Sequence, residues 1–204
     1  MDNTEPMIMP KKLNLESLSI PVDTHARDIG CVAANIGSWC GMSTGQRDML
    51  RTVAYMHRYA YRFVNAAIKD KEGELTESER KALMDEVLSC CGVLAGALED
   101  DDVLEGIMDQ YERWDGTGYP KGLKADDVSI YSRIVRIASA YVAMSSGRSY
   151  RDPLTDIEII QKLQEEEAST YDPVILKIVV SLLELSPGLL TEAIDGEPPV
   201  KHSE

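Results

Sequence analysis

Apolar residues recur along most of this chain at the three- and four-residue spacing of amphipathic helices. Between about residues 23 and 40, Ile29, Val32, Ala33 and Ile36 fall at the i, i+3, i+4 and i+7 positions of one helical face. The same spacing recurs in later segments, and no pair of alternating strand patterns interrupts it. The predicted helices cover approximately residues 23–40, 44–68, 77–98, 100–112, 130–146, 156–167 and 174–185. The sequence therefore predicts an all-α fold, a bundle of about seven helices.

Short polar motifs mark where several of these helices begin and end. Residues 43–46, 76–79 and 155–158 follow the capping-box pattern, in which a hydroxyl and a carboxyl or amide side chain bond the first free N–H groups of a helix. Gly41 suits a helix C-terminus and Pro173 a first helical position. We predict one helical domain at residues 13–186, between disordered tails at 1–12 and 187–204.

One stretch has a composition that a helix interior excludes, and we call residues 113–122 the central loop. Its sequence, RWDGTGYPKG, holds three glycines and a proline within eight residues. Asp115-Gly116 and Tyr119-Pro120 are typical turn pairs. Two readings stay open: the aromatic rings brace the loop from inside, or the loop binds a partner protein. The residues that would form this partner contact are Arg113, Trp114, Tyr119 and Lys121.

Residues 112–120, with the sequence ERWDGTGYP, resemble the signature of the HD-GYP family of bacterial cyclic di-GMP phosphodiesterases. The segments at residues 133–138 and 148–151 keep the order and spacing of that family. The resemblance implies an HD-domain-type helical bundle over most of the chain. In the family it also implies hydrolysis of a phosphodiester with a cluster of metal ions. Because function belongs to a site and not to a fold, each ligand position has to be read in this sequence.

The family's ligand pattern runs as a lone His, a His-Asp pair, a second lone His, a His-His pair and an Asp. The first lone His matches His25, whereas residues 85–88 contain no His for the second. The chain has three histidines in all, fewer than the pattern requires, and one of them is His202. The remaining matched positions are His57 and Arg58 for the His-Asp pair, Gln110 and Tyr111 for the His-His pair, and Ser139 for the final Asp.

We therefore expect a degenerate centre with neither metal nor catalysis. An arginine at position 58 would repel a metal cation at short range. His25 and His57 are then either hydrogen-bonded histidines on inner helix faces or the remnant of a one-metal site. If a metal binds, imidazole and carboxylate ligands suit Fe, Mn or Zn. A weak phosphohydrolase would use these two histidines with a nearby carboxylate, Asp28 or Glu112.

In the family, basic residues after the ligand helix contact the phosphates of the nucleotide. The matching residues here are Arg148 and Arg151, whose planar guanidinium groups can each donate two hydrogen bonds to phosphate. They could equally end a helix and pair with surface acids such as Asp152. The family's loop is also implicated in docking to diguanylate cyclase domains of the GGDEF type. Such a domain and cyclic di-GMP are therefore the candidate partners, and a specific homodimer stays open.

Composition narrows the classes of partner further. A net charge of −14 argues against non-specific binding to nucleic acid or to an anionic membrane. No apolar run approaches the roughly 18 residues that span a bilayer, and the N-terminus lacks a signal-peptide pattern. The four cysteines lack the C-x-x-C spacing of metal-binding pairs. We therefore predict that they are buried free thiols in a reducing cytoplasm.

The sequence thus predicts a catalytically inactive HD-GYP-like module that regulates or scaffolds cyclic-dinucleotide signalling in bacteria through protein contacts. The first alternative is a sensor that binds cyclic di-GMP or another phosphate ligand without hydrolysing it. The second alternative is the weak metal-dependent phosphodiesterase.

Overall fold

The computed structural model of the chain describes residues 24–63, 68, 71, 75–95, 101–146 and 152–192. Helices dominate these residues, which confirms the predicted all-α class; strand-like pairing there is confined to one isolated bridge between Glu167 and Tyr171. The helices are α1 (Thr24–Trp39), α2 (Thr44–Phe63), α3 (Glu77–Ala95), α4 (Asp101–Met108), α5 (Ile130–Ser145), α6 (Asp156–Glu165) and α7 (Pro173–Leu185). Three short 3₁₀ turns lie at Asp109–Tyr111, Ala125–Asp127 and Leu189–Thr191.

The core is built around α1, which packs most extensively against α2 and then against α5. Ile29 and Ile36 of α1, Met56 of α2 and Ile137 of α5 are fully buried. Small residues let the first two helices approach closely. A Cβ atom on Gly37 would lie 2.5 Å from Cδ1 of Leu50, so the leucine occupies the space that a larger residue would need. The predicted apolar face of the first helix is therefore the centre of the fold.

The predicted caps are present. Ser43 and Gln46 exchange the two reciprocal bonds of a capping box, and Thr155 and Glu158 do the same at α6. Gly41 adopts φ +78° and lets the N–H of Met42 reach the carbonyl of Gly37 at 2.9 Å, which ends α1. Local polar motifs therefore fix the helix starts as the sequence predicts.

Two boundaries differ from the prediction. The helix predicted at 100–112 ends as an α-helix at Met108 and tightens into a 3₁₀ turn, because Asp109 and Glu112 bond the chain beyond it. Packing also continues past residue 186: Leu190 is fully buried, and Nδ2 of Asn35 donates to its carbonyl at 3.0 Å. Residue 68, where the second helix is predicted to end, is helical. The predicted N-terminal tail, the predicted helix end at 98 and the last residues of the C-terminal tail lie outside the described residues.

In the part of the chain that the structure describes, no helix combines the length and apolar character that a membrane span requires.

Candidate functional site

The central loop is fastened to the protein by the carboxylate of Glu112. This residue is 1% exposed, and its oxygens accept hydrogen bonds from the backbone N–H groups of Lys121 at 2.7 Å and Leu123 at 3.0 Å. The loop therefore closes on the residue that precedes it. Charged acceptors make stronger bonds than neutral ones, and a buried carboxylate requires such partners.

A second carboxylate, that of Asp109, connects the end of the central loop to the start of α5. Asp109, which is also buried, accepts from Nζ of Lys121 at 3.0 Å and from the N–H of Ser129 at 3.2 Å. The first contact holds the loop and the second holds the start of α5. This double use explains why the helix before the loop ends in a tight turn.

Trp114 packs against the positive charge of α5. The guanidinium carbon of Arg133 lies 5.5 Å from the centroid of the Trp114 ring, within the range of a cation–π interaction. Nη1 of the same arginine donates to Asp172 at 2.6 Å and to Asp126 at 2.9 Å. Backbone bonds from Trp114 and Asp115 to the carbonyls of Thr170 and Ser169 complete the attachment. The loop thus bridges α5 and the segment that precedes α7.

Within the loop, Asp115 and Gly116 set the path of the chain. Oδ1 of Asp115 accepts from the N–H of Thr117 at 2.9 Å and from its hydroxyl at 2.6 Å. These bonds, the hydroxyl first and then the N–H, lower the pKa of Asp115. Gly116 adopts φ +84°, a conformation that favours glycine, and the Tyr119-Pro120 peptide bond is cis.

Next to the loop, Arg136 connects α5 to the 3₁₀ turn at Asp109–Tyr111. Its Nη1 donates to the carbonyl of Gln110 at 2.9 Å. Burial lowers the pKa of this guanidinium, and the neighbouring charge of Arg113 lowers it further. Tyr111 stacks on Tyr119 with ring centroids 5.2 Å apart and planes 6° from parallel. The turn and the loop are therefore held as one unit.

The positions matched to the family's metal ligands lie on three helices and one 3₁₀ turn. His25 is in the first turn of α1, His57 is in α2, and Ser139 is in α5; all three side chains are half-buried. Gln110 is 6% exposed, and neither its Oε1 nor its Nε2 has a hydrogen-bond partner among the described residues. The side chain of Arg58, and the whole of Arg148 and Arg151, lie outside the described residues.

The donor set at these positions differs from the ligand pattern that the family resemblance implies. The side chain of Gln110 is a neutral amide, and the cationic Arg136 bonds the main-chain carbonyl of the same residue. Ser139, three residues after Arg136 on the same face of α5, offers a hydroxyl where the family has a carboxylate. Transition-metal clusters need imidazole and carboxylate ligands. Within the described ranges, no three His, Cys, Asp or Glu side chains converge in a way that could hold an ion.

The residues predicted to meet a partner are partly accessible and partly structural. Lys121 exposes 46% of its side chain and Arg113 exposes 32%, whereas Trp114 and Tyr119 are half-buried against Arg133 and Tyr111. The nearest carboxylates to Arg113 are Asp115 at 3.7 Å and Glu166 at 3.9 Å. The two rings thus pack within the protein, and Lys121 is the most exposed of the four residues predicted to form the contact.

Sequence reasoning did not single out the buried charges behind the loop. They are Asp109, Arg133, Arg136 and Asp172. Two arginines in an otherwise apolar predicted helix were the available signal, because a cation on a core-facing helix requires a partner.

Comparison with known proteins identifies the family. Residues 15–175 match the family model described as "HD domain", which is well over half of the chain. The 3'3'-cGAMP-specific phosphodiesterase 2 of Vibrio cholerae is 27% identical over 177 residues, covering 82% of this chain and 33% of the relative. The cyclic di-GMP phosphodiesterase PdeB of Borreliella burgdorferi is 24% identical over 163 residues, covering 80% and 43%. The chain thus spans less than half the length of these curated relatives.

Solved structures agree on the fold. A cyclic GMP-AMP-specific phosphodiesterase of V. cholerae superposes with a TM-score of 0.62 at 19% identity, over 86% of this chain and 49% of that one. An HDG"Y"P protein of Bdellovibrio bacteriovorus superposes with a TM-score of 0.61 at 16% identity, over 82% and 55%. The helical order, the central loop and these matches lead to one conclusion: the chain belongs to the HD domain family and, within it, to the HD-GYP group.

Proposed function

We propose that this chain is a regulatory module of bacterial cyclic-dinucleotide signalling that acts through protein contacts and does not hydrolyse the dinucleotide. The relatives named above are phosphodiesterases for cyclic di-GMP or 3'3'-cGAMP, which supports the pathway. The retained central loop supports a contact role. The contact would centre on the two cations of the loop, the half-buried Arg113 and the exposed Lys121.

One observation carries the non-catalytic part of the proposal. At the position of the family's His-His pair, Gln110 is buried, and its main-chain carbonyl accepts a hydrogen bond from the guanidinium of Arg136. A guanidinium at this place repels the multiply charged cations that activate water in the family. On either side of the position, Asp109 and Glu112 both accept hydrogen bonds from Lys121 of the loop.

A direct assay tests the absence of hydrolysis. Purified chain would be loaded separately with Fe²⁺, Mn²⁺ and Zn²⁺ and incubated with cyclic di-GMP and with 3'3'-cGAMP. We expect no linear product above the metal-only blank, and less than one bound metal per chain after gel filtration. Turnover that disappears with His57→Ala, or two retained metal ions per chain, would overturn the proposal in favour of the phosphodiesterase.

A binding titration tests the contact. The proposed partner is a GGDEF-type diguanylate cyclase domain, and its affinity would be measured for the parent chain and for Arg113→Ala, Lys121→Ala and Lys81→Ala. Lys81 lies exposed on α3, which packs against α2 and α4, and is the matched control. Loss of an interface hot spot weakens binding by about tenfold or more, roughly 1.4 kcal/mol. Equal affinities for all four proteins would argue against the loop as the contact.

The sensor alternative rests on Arg148 and Arg151 and has its own test. Calorimetry with cyclic di-GMP, without added metal, would show binding that Arg148→Ala and Arg151→Ala abolish. That result would place ligand binding ahead of protein contact as the role of the module.

A further inference from the structure

A small cavity lies behind the central loop, between it and α5. Its walls include the side chains of Glu112, Trp114, Arg133, Arg136 and Asp172. The space in which the centre of a water-sized molecule can move is about 10 Å³. A single buried water needs about 10–15 Å³ by this measure, so the cavity accommodates one water and excludes a phosphate.

Two buried donors in these walls lack a protein acceptor. The Nε–H groups of Arg133 and Arg136 have no hydrogen-bond partner among the described residues. Both guanidinium groups are held in place through their other nitrogens, Arg133 by Asp172 and Arg136 by the carbonyl of Gln110. A buried charged donor that stays unsatisfied costs more than its hydrogen bond would gain, so an acceptor is expected at both Nε atoms.

The walls of the cavity also contain a carboxylate that can accept further hydrogen bonds. Glu112 accepts from two backbone N–H groups and makes no ion pair in the described part of the chain. Arg136 likewise has no carboxylate within ion-pairing distance there. An ionised carboxylate has about four lone-pair sites, so Glu112 can accept further bonds. The cavity is therefore lined by an arginine and a carboxylate that do not contact each other directly.

We propose that this cavity binds one internal water molecule, which accepts from Nε of Arg133 and Arg136 and donates to the carboxylates opposite them. Three buried acids, Asp109, Glu112 and Asp172, outnumber the two arginines, and this balance disfavours an anion in the same place. The water connects Glu112, which closes the central loop, to Arg136, which holds Gln110. It is a structural ligand of the frame and is independent of any metal or partner.

Crystallography of the full chain tests the site directly. We expect ordered density in the cavity at hydrogen-bonding distance, about 2.7–3.2 Å, from both Nε atoms. A matched crystal soaked in sodium bromide should show no anomalous peak there. A bromide peak would overturn the proposal and make the cavity an anion site. A direct bond from Nε of Arg136 to a carboxylate, or ordered walls around featureless density, would also overturn it.

A solution measurement gives an independent answer. The Nε–H signals of the ¹⁵N-labelled chain would be assigned with Arg133→Lys and Arg136→Lys. We expect water cross-peaks from both Nε–H groups with the sign of a long-lived bound water, and a rapidly exchanging signal from Arg80 on α3 as the control. Rapid exchange at all three arginines would contradict the proposal. Because neither measurement depends on hydrolysis or on a partner, their outcome is separate from that of the proposed function.

Discussion

Gly118 lies where the central loop passes closest to its own beginning. A Cβ atom built on this residue would lie 2.3 Å from the backbone nitrogen of Arg113 and 2.5 Å from Cα of Glu112. Both neighbours are backbone atoms, so no side chain can move aside. The glycine is therefore required by the approach of two backbone segments, whereas Gly116 is favoured by its positive φ.

Gly118→Ala is expected to destabilise the protein by about 1–3 kcal/mol or more, because the added carbon overpacks a fixed site. Gly45→Ala is the matched control: no atom lies within 4 Å of its Cβ position, and alanine favours a helix. Urea unfolding of both variants measures the difference. An unchanged midpoint for Gly118→Ala would mean that the loop does not pack as described.

Asp115 gives the loop a predictable pH dependence. Its pKa is lowered by hydrogen bonds from the Thr117 hydroxyl and then from the Thr117 N–H. A carboxyl whose folded pKa is depressed contributes stability above its unfolded value, about 3.9, and loses that contribution as pH falls through the folded value. The turn should therefore persist at neutral pH and open only in acid.

Thr117→Val should raise the pKa of Asp115 towards its ordinary value, because the hydroxyl is the larger of the two causes. Thr117→Ser keeps a hydroxyl and should leave the titration close to that of the parent chain. Carboxyl ¹³C chemical shifts recorded against pH measure all three proteins. Superimposable curves would show that the hydroxyl does not bond the carboxylate.

At the scale of elements, Asp172 joins two helices and the loop. Its Oδ1 caps α7 by accepting from the N–H groups of Val174 and Ile175, and its Oδ2 accepts from Arg133 on α5. The residue is 3% exposed, so its charge depends on these partners. One carboxylate thus sets the start of α7 and the orientation of Arg133, whose guanidinium lies over Trp114.

Asp172→Ala is expected to cost about 3–5 kcal/mol, because it breaks a buried ion pair and removes the cap. Asp172→Asn keeps an oxygen for the cap and should cost less, about 1–3 kcal/mol. Asp126 also pairs with Arg133 but is 87% exposed, so Asp126→Asn should cost under about 0.5 kcal/mol. Chemical denaturation measures this order, and equal losses at the two acids would contradict it.

The sequence predicted helices more completely than it predicted their connections. Periodic apolar positions and capping motifs report local structure, and α1, α6 and α7 follow them closely. The end of α4 depends on where Asp109 and Glu112 find donors across the loop, which spacing along one helix does not reveal. Leu190 packs on α1, and its carbonyl accepts from Asn35, which lies 155 positions earlier in the sequence. No local sequence pattern predicts such a contact.

In the candidate site, too, some features could be predicted from the sequence and others could not. Residue types at His57, Gln110 and Ser139 could be read from the family resemblance, since a ligand position is identified by its place in a motif. The network of Arg133, Arg136 and Asp172 depends on three-dimensional proximity. Its one sequence signal was cationic residues inside an apolar helix, and that signal does not name their partners.

At the scale of the whole molecule, the surface carries a large excess of acid. The net charge is −14, from 35 acidic and 21 basic residues. Like charges repel most strongly in the compact state, and this repulsion opposes folding. At 0.1 M ionic strength, charges more than about 10 Å apart are largely screened from one another.

Raising sodium chloride from about 10 mM to 0.1 M should therefore raise the midpoint of thermal unfolding, because the screening length falls to about 10 Å. Sucrose at equal osmolality controls for effects that do not depend on charge. A midpoint that falls with salt would show that the ion pairs around the loop contribute more to stability than the surface repulsion removes.

The placement of the tryptophans gives the molecule a natural optical label. The chain has two, Trp39 and Trp114. Trp39 is 58% exposed at the end of α1, whereas Trp114 lies half-buried beneath the guanidinium of Arg133. An aqueous quencher such as iodide will reach the first indole and largely spare the second. The emission that survives quenching therefore reports on the central loop, in unmodified protein, whenever a ligand or another protein moves it.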